Sequence, residues 1–214
     1  MIKLETAQLI QELIAYLIAY FPTVTLAGYV EAWLAKKFGD KTPEYAGFLT
    51  LNPIVHMDPI GIAFVALPPH FGFGKRMPMD LDNIKKKHKT AKILLLFMSR
   101  AITHLILIVL VLLFFGLIGK QALMYLVEGN IHPAIYSTLL IFHALLNLNI
   151  LSAVIYFIIG LVRTCIHFLI PDIENQSGFM QLATFIFPFL MILVLGPYVE
   201  TILRIFLIKF FGIL

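Results

Sequence analysis

The segment Ile93–Ile118, ILLLFMSRAITHLILIVLVLLFFGLI, decides what kind of protein this chain is. Its only Lys, Arg, Asp or Glu is Arg100, and it contains no proline. A helix of this length, at about 1.5 Å per residue, crosses a hydrocarbon layer of about 30 Å. The segment therefore predicts a membrane-spanning helix.

The composition of the whole chain agrees with this prediction. Of its 214 residues, 60% are hydrophobic and 13% are charged, whereas soluble domains carry about 25% charged residues. So little charge cannot cover a surface that faces water on all sides. We expect an all-α polytopic membrane protein that forms a single membrane domain over residues 1–214.

Hydropathy and proline positions divide the chain further. We expect a first helix at 8–35, a second at 93–118, a third at 134–170 and C-terminal helices within 179–214, which gives four to five transmembrane helices. The intervening stretch 38–92 is rich in Gly, Pro and charge, and its apolar piece Ile60–Leu67 is too short to span. It predicts a re-entrant or β-hairpin-like insertion on the cytoplasmic side, shielded by the helices.

The basic residues predict the orientation. Ten of the 16 Lys and Arg lie between Lys36 and Lys92. By the positive-inside rule, loop 36–92 is cytoplasmic and the N-terminus is outside. The run Lys85–Lys89 could suit nucleic acid. In so apolar a chain we expect it to lie near anionic headgroups instead, with membrane lipids and no nucleic acid as partners.

Three motifs in the first hundred residues resemble those of site-2 proteases, which are intramembrane zinc metalloproteases. Leu51–Gly61, LNPIVHMDPIG, resembles the family's LNPxxHxDPxG element. Ala32–Asp40, AWLAKKFGD, is similar to its AWxAxxxGD run, and Phe71–Met79, FGFGKRMPM, resembles its GFG…KPVPV stretch. The motifs occur in the family's order, and the resemblance implies a related scaffold in a bacterial inner membrane.

The resemblance also implies where zinc ligands would stand. The family's HExxH helix holds zinc with two His and uses the Glu as general base. Anchored on Ala32-Trp33, these three positions are Ala27, Gly28 and Glu31, and the family's later Asp falls on Ile155. Ala and Gly can neither ligate a metal nor take a proton. The resemblance therefore implies no catalytic residue, no metal and no cofactor at this site.

Three functional hypotheses follow. The leading one is a catalytically inactive binding, scaffold or assembly subunit for another integral membrane protein or a transmembrane helix. The first alternative is an active metalloprotease with a displaced metal site, for example at Glu31 and His56; the second is a small transporter or channel. The residues predicted to bind a partner or to be structural are His56, Asp58, Phe71, Phe73, Arg100, His104 and Asn147.

Several polar residues admit two interpretations. Glu31 is expected to extend towards the interface beside Lys36, or else to contact a partner. Arg100 either reaches headgroups or pairs with Glu31. The turn around His56 is expected to be shaped by hydrogen bonds, with a half metal site as the alternative. Asn147, with Asn149 and Ser152, is expected to join helices, and the Phe71–Met79 stretch to pair its edge with a partner peptide.

Overall fold

The computed structural model describes residues 2–67, 70–127 and 133–169, together with seven separate positions between 190 and 205. Within the three continuous ranges every regular element is helical and none is a β-strand. The α-helices are α1 (Ile2–Phe38), α2 (Thr42–Tyr45), α3 (Pro53–His56), α4 (Pro59–Val65), α5 (Lys89–Val127) and α6 (Pro133–Leu169), and a 3₁₀ turn spans Leu81–Asn83.

Three of these helices are long and apolar enough to cross a membrane: Thr6–Phe38 of α1, Lys89–Leu117 of α5, and Pro133–Leu169 of α6. Such helices are compatible with an integral membrane protein. The C-terminal helices predicted within 179–214 fall outside the described residues except at isolated positions. Four to five crossings, the single domain and the orientation therefore stay predictions.

The three long helices pack against one another. Tyr16 of α1 bonds to Asn147 of α6, and Glu31, later on α1, lies 4.0 Å from Arg163, later on α6, so these two helices run in the same direction. Between α5 and α6 the order is reversed, because Arg100 bonds to Tyr156 and the later His104 contacts the earlier Asn149. Helix α5 therefore runs antiparallel to α1 and α6. The largest buried cluster lies between α1 and α6 and combines small and aromatic residues, as close helix packing requires: Ala15, Tyr16, Ala19, Tyr20, Val24, Val65, Ala144 and Leu148.

The stretch between α1 and α5 runs along α1 and back. His56 lies beside Gly28, and farther along α4 Val65 packs in the cluster around Tyr16. His70 then stacks on the Tyr16 ring, with 4.4 Å between ring centroids. The chain returns to the end of α1, where the Lys85 amide donates to the Phe38 carbonyl at 2.9 Å.

The two arms of this stretch meet through one isolated antiparallel bridge, Met57 with Gly74. The described residues therefore show no β-hairpin with regular strands. The reason lies in the second arm, residues 70–85, which we call the returning arm. Most of its backbone hydrogen bonds around Gly74 go to side chains of the helices. Regular pairing between the arms would need those same groups.

Candidate functional site

Glu31 and Arg100 form a buried ion pair where α1 and α5 meet. Their exposed fractions are 4% and 8%, and Arg100 Nε donates to Glu31 Oε2. The expectation that Glu31 extends towards the interface beside Lys36 is wrong, and the alternative pairing with Arg100 is confirmed. A buried carboxylate is tolerated because an opposite charge with good hydrogen-bond geometry compensates for its lost hydration.

Arg100 uses its remaining donors to hold two other parts of the chain, α6 and the arm around Gly74. Its Nη1 donates to the Tyr156 hydroxyl at 3.0 Å and lies 3.4 Å from the Gly74 carbonyl, and its Nη2 donates to the Lys75 carbonyl at 2.9 Å. The planar guanidinium, with five N–H groups in a fixed fork, suits several acceptors at once. One buried cation therefore connects α1, α5, α6 and the returning arm.

The other backbone groups near Gly74 are also used within the chain. The Gly74 amide donates to the Tyr156 hydroxyl at 3.0 Å, and the Phe73 carbonyl accepts from the Tyr20 hydroxyl at 2.9 Å. The Lys75 amide donates to the His56 carbonyl at 2.7 Å, and the Gly72 carbonyl accepts from Ser152 Oγ at 3.3 Å. These backbone groups between residues 72 and 75 are therefore already bonded within the chain and are not available to a partner peptide. Edge pairing by the rest of Phe71–Met79 stays a prediction.

The aromatic side chains of the same arm face inward. Phe71 is buried and packs with Leu151 and Ile155 of α6, and Phe73 is a half-buried neighbour of that cluster. Phe64 stacks on Phe71 with ring centroids 4.9 Å apart. Both residues that were candidates for partner contact, Phe71 and Phe73, therefore pack within the protein. Their burial holds the arm between α4 and α6.

His56 occupies the space beside Gly28. A Cβ atom on Gly28 would lie 2.3 Å from His56 Nδ1, so no larger residue fits while the ring is there. The imidazole is 1% exposed, and its Nε2–H donates to the Thr50 carbonyl at 2.7 Å. Burial lowers the pKa of His56 from its ordinary value, because desolvation disfavours the charged imidazolium. The space beside Gly28, which the resemblance aligns with the family's general base, is thus occupied by the neutral ring of His56.

Asp58 caps the N-terminus of α4. Its Oδ1 accepts from the Ile60 amide at 2.8 Å and from the Gly61 amide at 3.2 Å. Pro59 occupies the first helical position, where a missing N–H costs nothing. Asn52 caps α3 in the same way, through the Ile54 amide at 3.1 Å. The interpretation that hydrogen bonds shape this turn is confirmed.

On α6, Tyr156 bonds to Arg100 of the ion pair, one position after Ile155, where the resemblance places the family's Asp. Ile155 is 5% exposed and packs in the Phe71 cluster. Sequence reasoning missed Tyr156, and it also missed Arg163, whose Nη1 lies 4.0 Å from Glu31 Oε1. A signal existed for Tyr156, because a tyrosine within an apolar helix needs a hydrogen-bond partner for its hydroxyl.

A second group of polar side chains joins the three helices farther from the end of α1 at Phe38 than the ion pair does. His104 Nδ1 lies 2.9 Å from Asn149 Oδ1, and Asn149 Nδ2 donates to Thr23 Oγ1 at 3.3 Å. The His104 ring stacks on Tyr156 with centroids 5.3 Å apart. Asn147 Nδ2 donates to the Tyr16 hydroxyl at 2.7 Å. These contacts agree with the expectation that the asparagines join helices.

The zinc ion that site-2 proteases hold, and the displaced site at Glu31 and His56 considered as an alternative, can be tested against these donors. A catalytic zinc site needs three protein ligands and an open position for water. Glu31 is bound to Arg100, His56 Nε2 to a carbonyl, and Asp58 to the start of α4. No group of three or more His, Cys, Asp and Glu in the described ranges could hold a metal ion. The residues present do not fit zinc.

Comparison with known proteins gives a limited relationship. No family model and no solved structure matches the chain. It is 40% identical over 62 residues to the "Putative zinc metalloprotease YwhC" of Bacillus subtilis (strain 168). The match covers 29% of this chain and 28% of that protein. It supports a weak link to site-2-protease-like metalloproteases over part of the chain.

Proposed function

We propose that this chain is a catalytically inactive, site-2-protease-like membrane protein that binds a membrane partner as a scaffold or assembly subunit. One observation carries the proposal. The carboxylate of Glu31, which aligns with a zinc ligand of the family, is neutralised by the buried guanidinium of Arg100. The space beside the general-base position, Gly28, is filled by the His56 ring.

The ion pair joins several elements of the fold, as a bound structural metal ion does. A bound cation holds its ligands from several elements together, and Arg100 joins α1, α6 and the returning arm in the same manner. A closed centre of this kind leaves no open position for a water nucleophile. The protein would therefore act through its outer surface.

We assign partner contact to the α3–α4 stretch, which we take to be a re-entrant element. It is held against α1 by the Asp58 amide, which donates to the Tyr20 hydroxyl at 3.1 Å, and by the His56 ring beside Gly28. Its outward side chains are apolar and exposed, at 60% for Leu51, 67% for Ile54 and 61% for Ile60. A rigid apolar surface at membrane depth suits a transmembrane helix of another protein, because such contacts form by side-chain packing.

Site-specific photo-crosslinking tests this assignment in the native membrane. A photoreactive amino acid is placed at Ile54 or Ile60, and at Leu105 or Leu113 of α5 as controls whose exposures of 56% and 60% are similar. We expect one discrete protein adduct from the α3–α4 positions and none from α5. Equal adducts from all four positions, or none from any, would reject a partner at this surface.

The loss of catalysis is tested separately on the purified protein. We expect less than roughly a tenth of an equivalent of zinc, because a stable site needs a complete set of deprotonated ligands. Cleavage of a transmembrane substrate should be equally absent with and without added zinc. Stoichiometric zinc that is lost in Glu31→Ala would instead establish the displaced metal site.

Transport is the second candidate, and the buried contacts of His104 with Asn149 and Thr23 are the observation that favours it. Polar groups inside a bundle can line an ion or proton path. Proton and ion flux into vesicles that contain the purified protein decides the matter. Flux that Asn149→Leu abolishes would support transport, and flux equal to that of empty vesicles removes it.

A further inference from the structure

We propose that the end of the bundle where α1 ends and α5 begins binds anionic phospholipid headgroups through a basic cluster. The basic cluster comprises Lys37, Lys41, Lys85, Lys86 and Lys87, all of which are exposed. The inference is independent of the proposed function, because it concerns a different surface and a different class of ligand.

The fold brings the cluster together from two distant parts of the sequence. The Lys85 amide donates to the Phe38 carbonyl at 2.9 Å, which fixes the start of the lysine run against the last turn of α1. Ile84 is buried with Ala35 in a small apolar cluster that anchors the same junction. The lysines at and just after the end of α1 therefore lie on one surface with those just before α5.

The acidic residues of this region do not neutralise the cluster. Glu44 pairs with Lys36 at 2.6 Å and Asp82 with Lys89 at 3.5 Å, and neither lysine belongs to the cluster. Asp40 is fully buried, where its carboxylate accepts hydrogen bonds from the Thr42 and Asp80 amides. The exposed Asp80 carboxylate accepts from the Asp82 amide at 3.1 Å and from Asn83 Nδ2 at 2.9 Å. In the described part of the chain no ion pair involves a member of the cluster. Its positive charge is therefore available to an external anion.

The position of the cluster favours lipid over other polyanions. The candidate spans end at Phe38 and begin at Lys89, so the lysines lie at the height of the headgroups. Trp33 is 43% exposed one turn before Lys37, whose Nζ lies 4.7 Å from its ring centroid. Exposed Trp and Lys at the end of a span are typical of the membrane interface, where anionic lipids attract basic residues.

The single tryptophan of the chain makes the proposal measurable, since Trp33 lies beside the cluster. The full-length protein is reconstituted in phosphatidylcholine containing either brominated phosphatidylglycerol or brominated phosphatidylcholine at the same mole fraction. Bromine quenches indole fluorescence on contact, so quenching reports the lipid around Trp33. We expect brominated phosphatidylglycerol to be at least about twofold enriched there, and high salt to remove the difference.

Two variants complete the test. Lys85→Gln/Lys86→Gln/Lys87→Gln should reduce the enrichment, and the matched Lys85→Arg/Lys86→Arg/Lys87→Arg variant should keep it because the charge is unchanged. Equal quenching by both lipids in the unmodified protein at low salt would overturn the proposal without any variant. The proposal would also be overturned if the glutamine variant kept the full enrichment of phosphatidylglycerol. This outcome counts when the glutamine and arginine variants unfold at the same midpoint, which shows that both are folded.

Discussion

Gly28 and His56 share one small volume, and each depends on the other. The ring of His56 lies where a Cβ of residue 28 would be, at 2.3 Å from Nδ1. Any side chain at position 28 therefore displaces a ring that is 1% exposed and bonded to the Thr50 carbonyl. This close approach is the physical reason that glycine suits the position in this chain.

We expect Gly28→Ala to lower the free energy of unfolding by about 1–3 kcal/mol, the usual cost of adding a methyl group to a packed interior. Unfolding by sodium dodecyl sulfate in mixed micelles measures it. Gly116→Ala on α5 is the control, because nothing lies within 4 Å of its added Cβ. Equal stabilities of the two variants would show that His56 does not occupy this space.

The Glu31–Arg100 pair predicts strong coupling between two residues that are far apart in sequence. Arg100→Met removes the hydrogen-bonded partner of the buried Glu31 carboxylate and leaves only Arg163 beside it, at 4.0 Å. We expect a cost of about 3 kcal/mol of unfolding free energy, the lower end of the range for breaking a buried ion pair. Glu31→Leu/Arg100→Met removes both charges and should cost clearly less than the two single changes added together. Additive losses in this double-mutant cycle would contradict a direct interaction.

His56 predicts a dependence of stability on pH. Its pKa in the folded protein is lowered by burial below the ordinary value of 6.5. As the pH falls below 6.5, the unfolded chain therefore binds the proton before the folded chain does, and this contribution to stability is lost. We expect His56→Gln to show a smaller fall in unfolding free energy between pH 8 and pH 5 than the unmodified protein. Identical pH profiles would contradict the buried neutral ring.

At the scale of elements, one hydroxyl on α1 holds both arms of the stretch between α1 and α5. Tyr20 accepts from the Asp58 amide at 3.1 Å and donates to the Phe73 carbonyl at 2.9 Å. It therefore takes the place of part of the regular pairing that a β-hairpin would supply. The arms stay together because α1 bonds to each of them.

Tyr20→Phe should release both arms without a large change in shape. Losing the hydroxyl leaves the half-buried Asp58 amide and Phe73 carbonyl without this partner, at a cost of about 1 kcal/mol for each group, the low end of the range for buried groups. We expect faster hydrogen exchange in residues 57–75 by mass spectrometry, with α5 and α6 unaffected. Tyr136→Phe, which alters a residue that is 39% exposed, is the control. Unchanged exchange would mean that the hydroxyl does not hold the arms.

For the whole molecule, the distribution of charge predicts the orientation. With Cys165, the only cysteine, replaced by serine, Lys3→Cys should react with a membrane-impermeant maleimide from outside intact cells. Lys86→Cys should react only after the membrane is permeabilised, because basic loops stay on the cytoplasmic side. Labelling of Lys86→Cys in intact cells would reverse the predicted orientation.

The sequence by itself determined the local features of this protein. These features are the apolar runs, the Asp58-Pro59 cap and the lysines beside the spans. They depend on composition and on neighbouring residues, so they can be predicted without knowing which helices pack together. The pairing of Glu31 with Arg100 could be proposed as one of two alternatives. The local sequence did not determine the rotation of each helix about its own axis.

Only the tertiary structure decided which faces of α1, α5 and α6 meet. Successive residues of a helix point about 100° apart, so Tyr156 bonds to Arg100 while its neighbour Ile155, which aligns with the family's Asp, packs in the Phe71 cluster. The burial of Glu31 and the occupied edge at Gly72–Lys75 arise from the same packing. The contacts involved join residues as much as 82 positions apart, as between Gly74 and Tyr156. The distance between such residues is set by the fold as a whole.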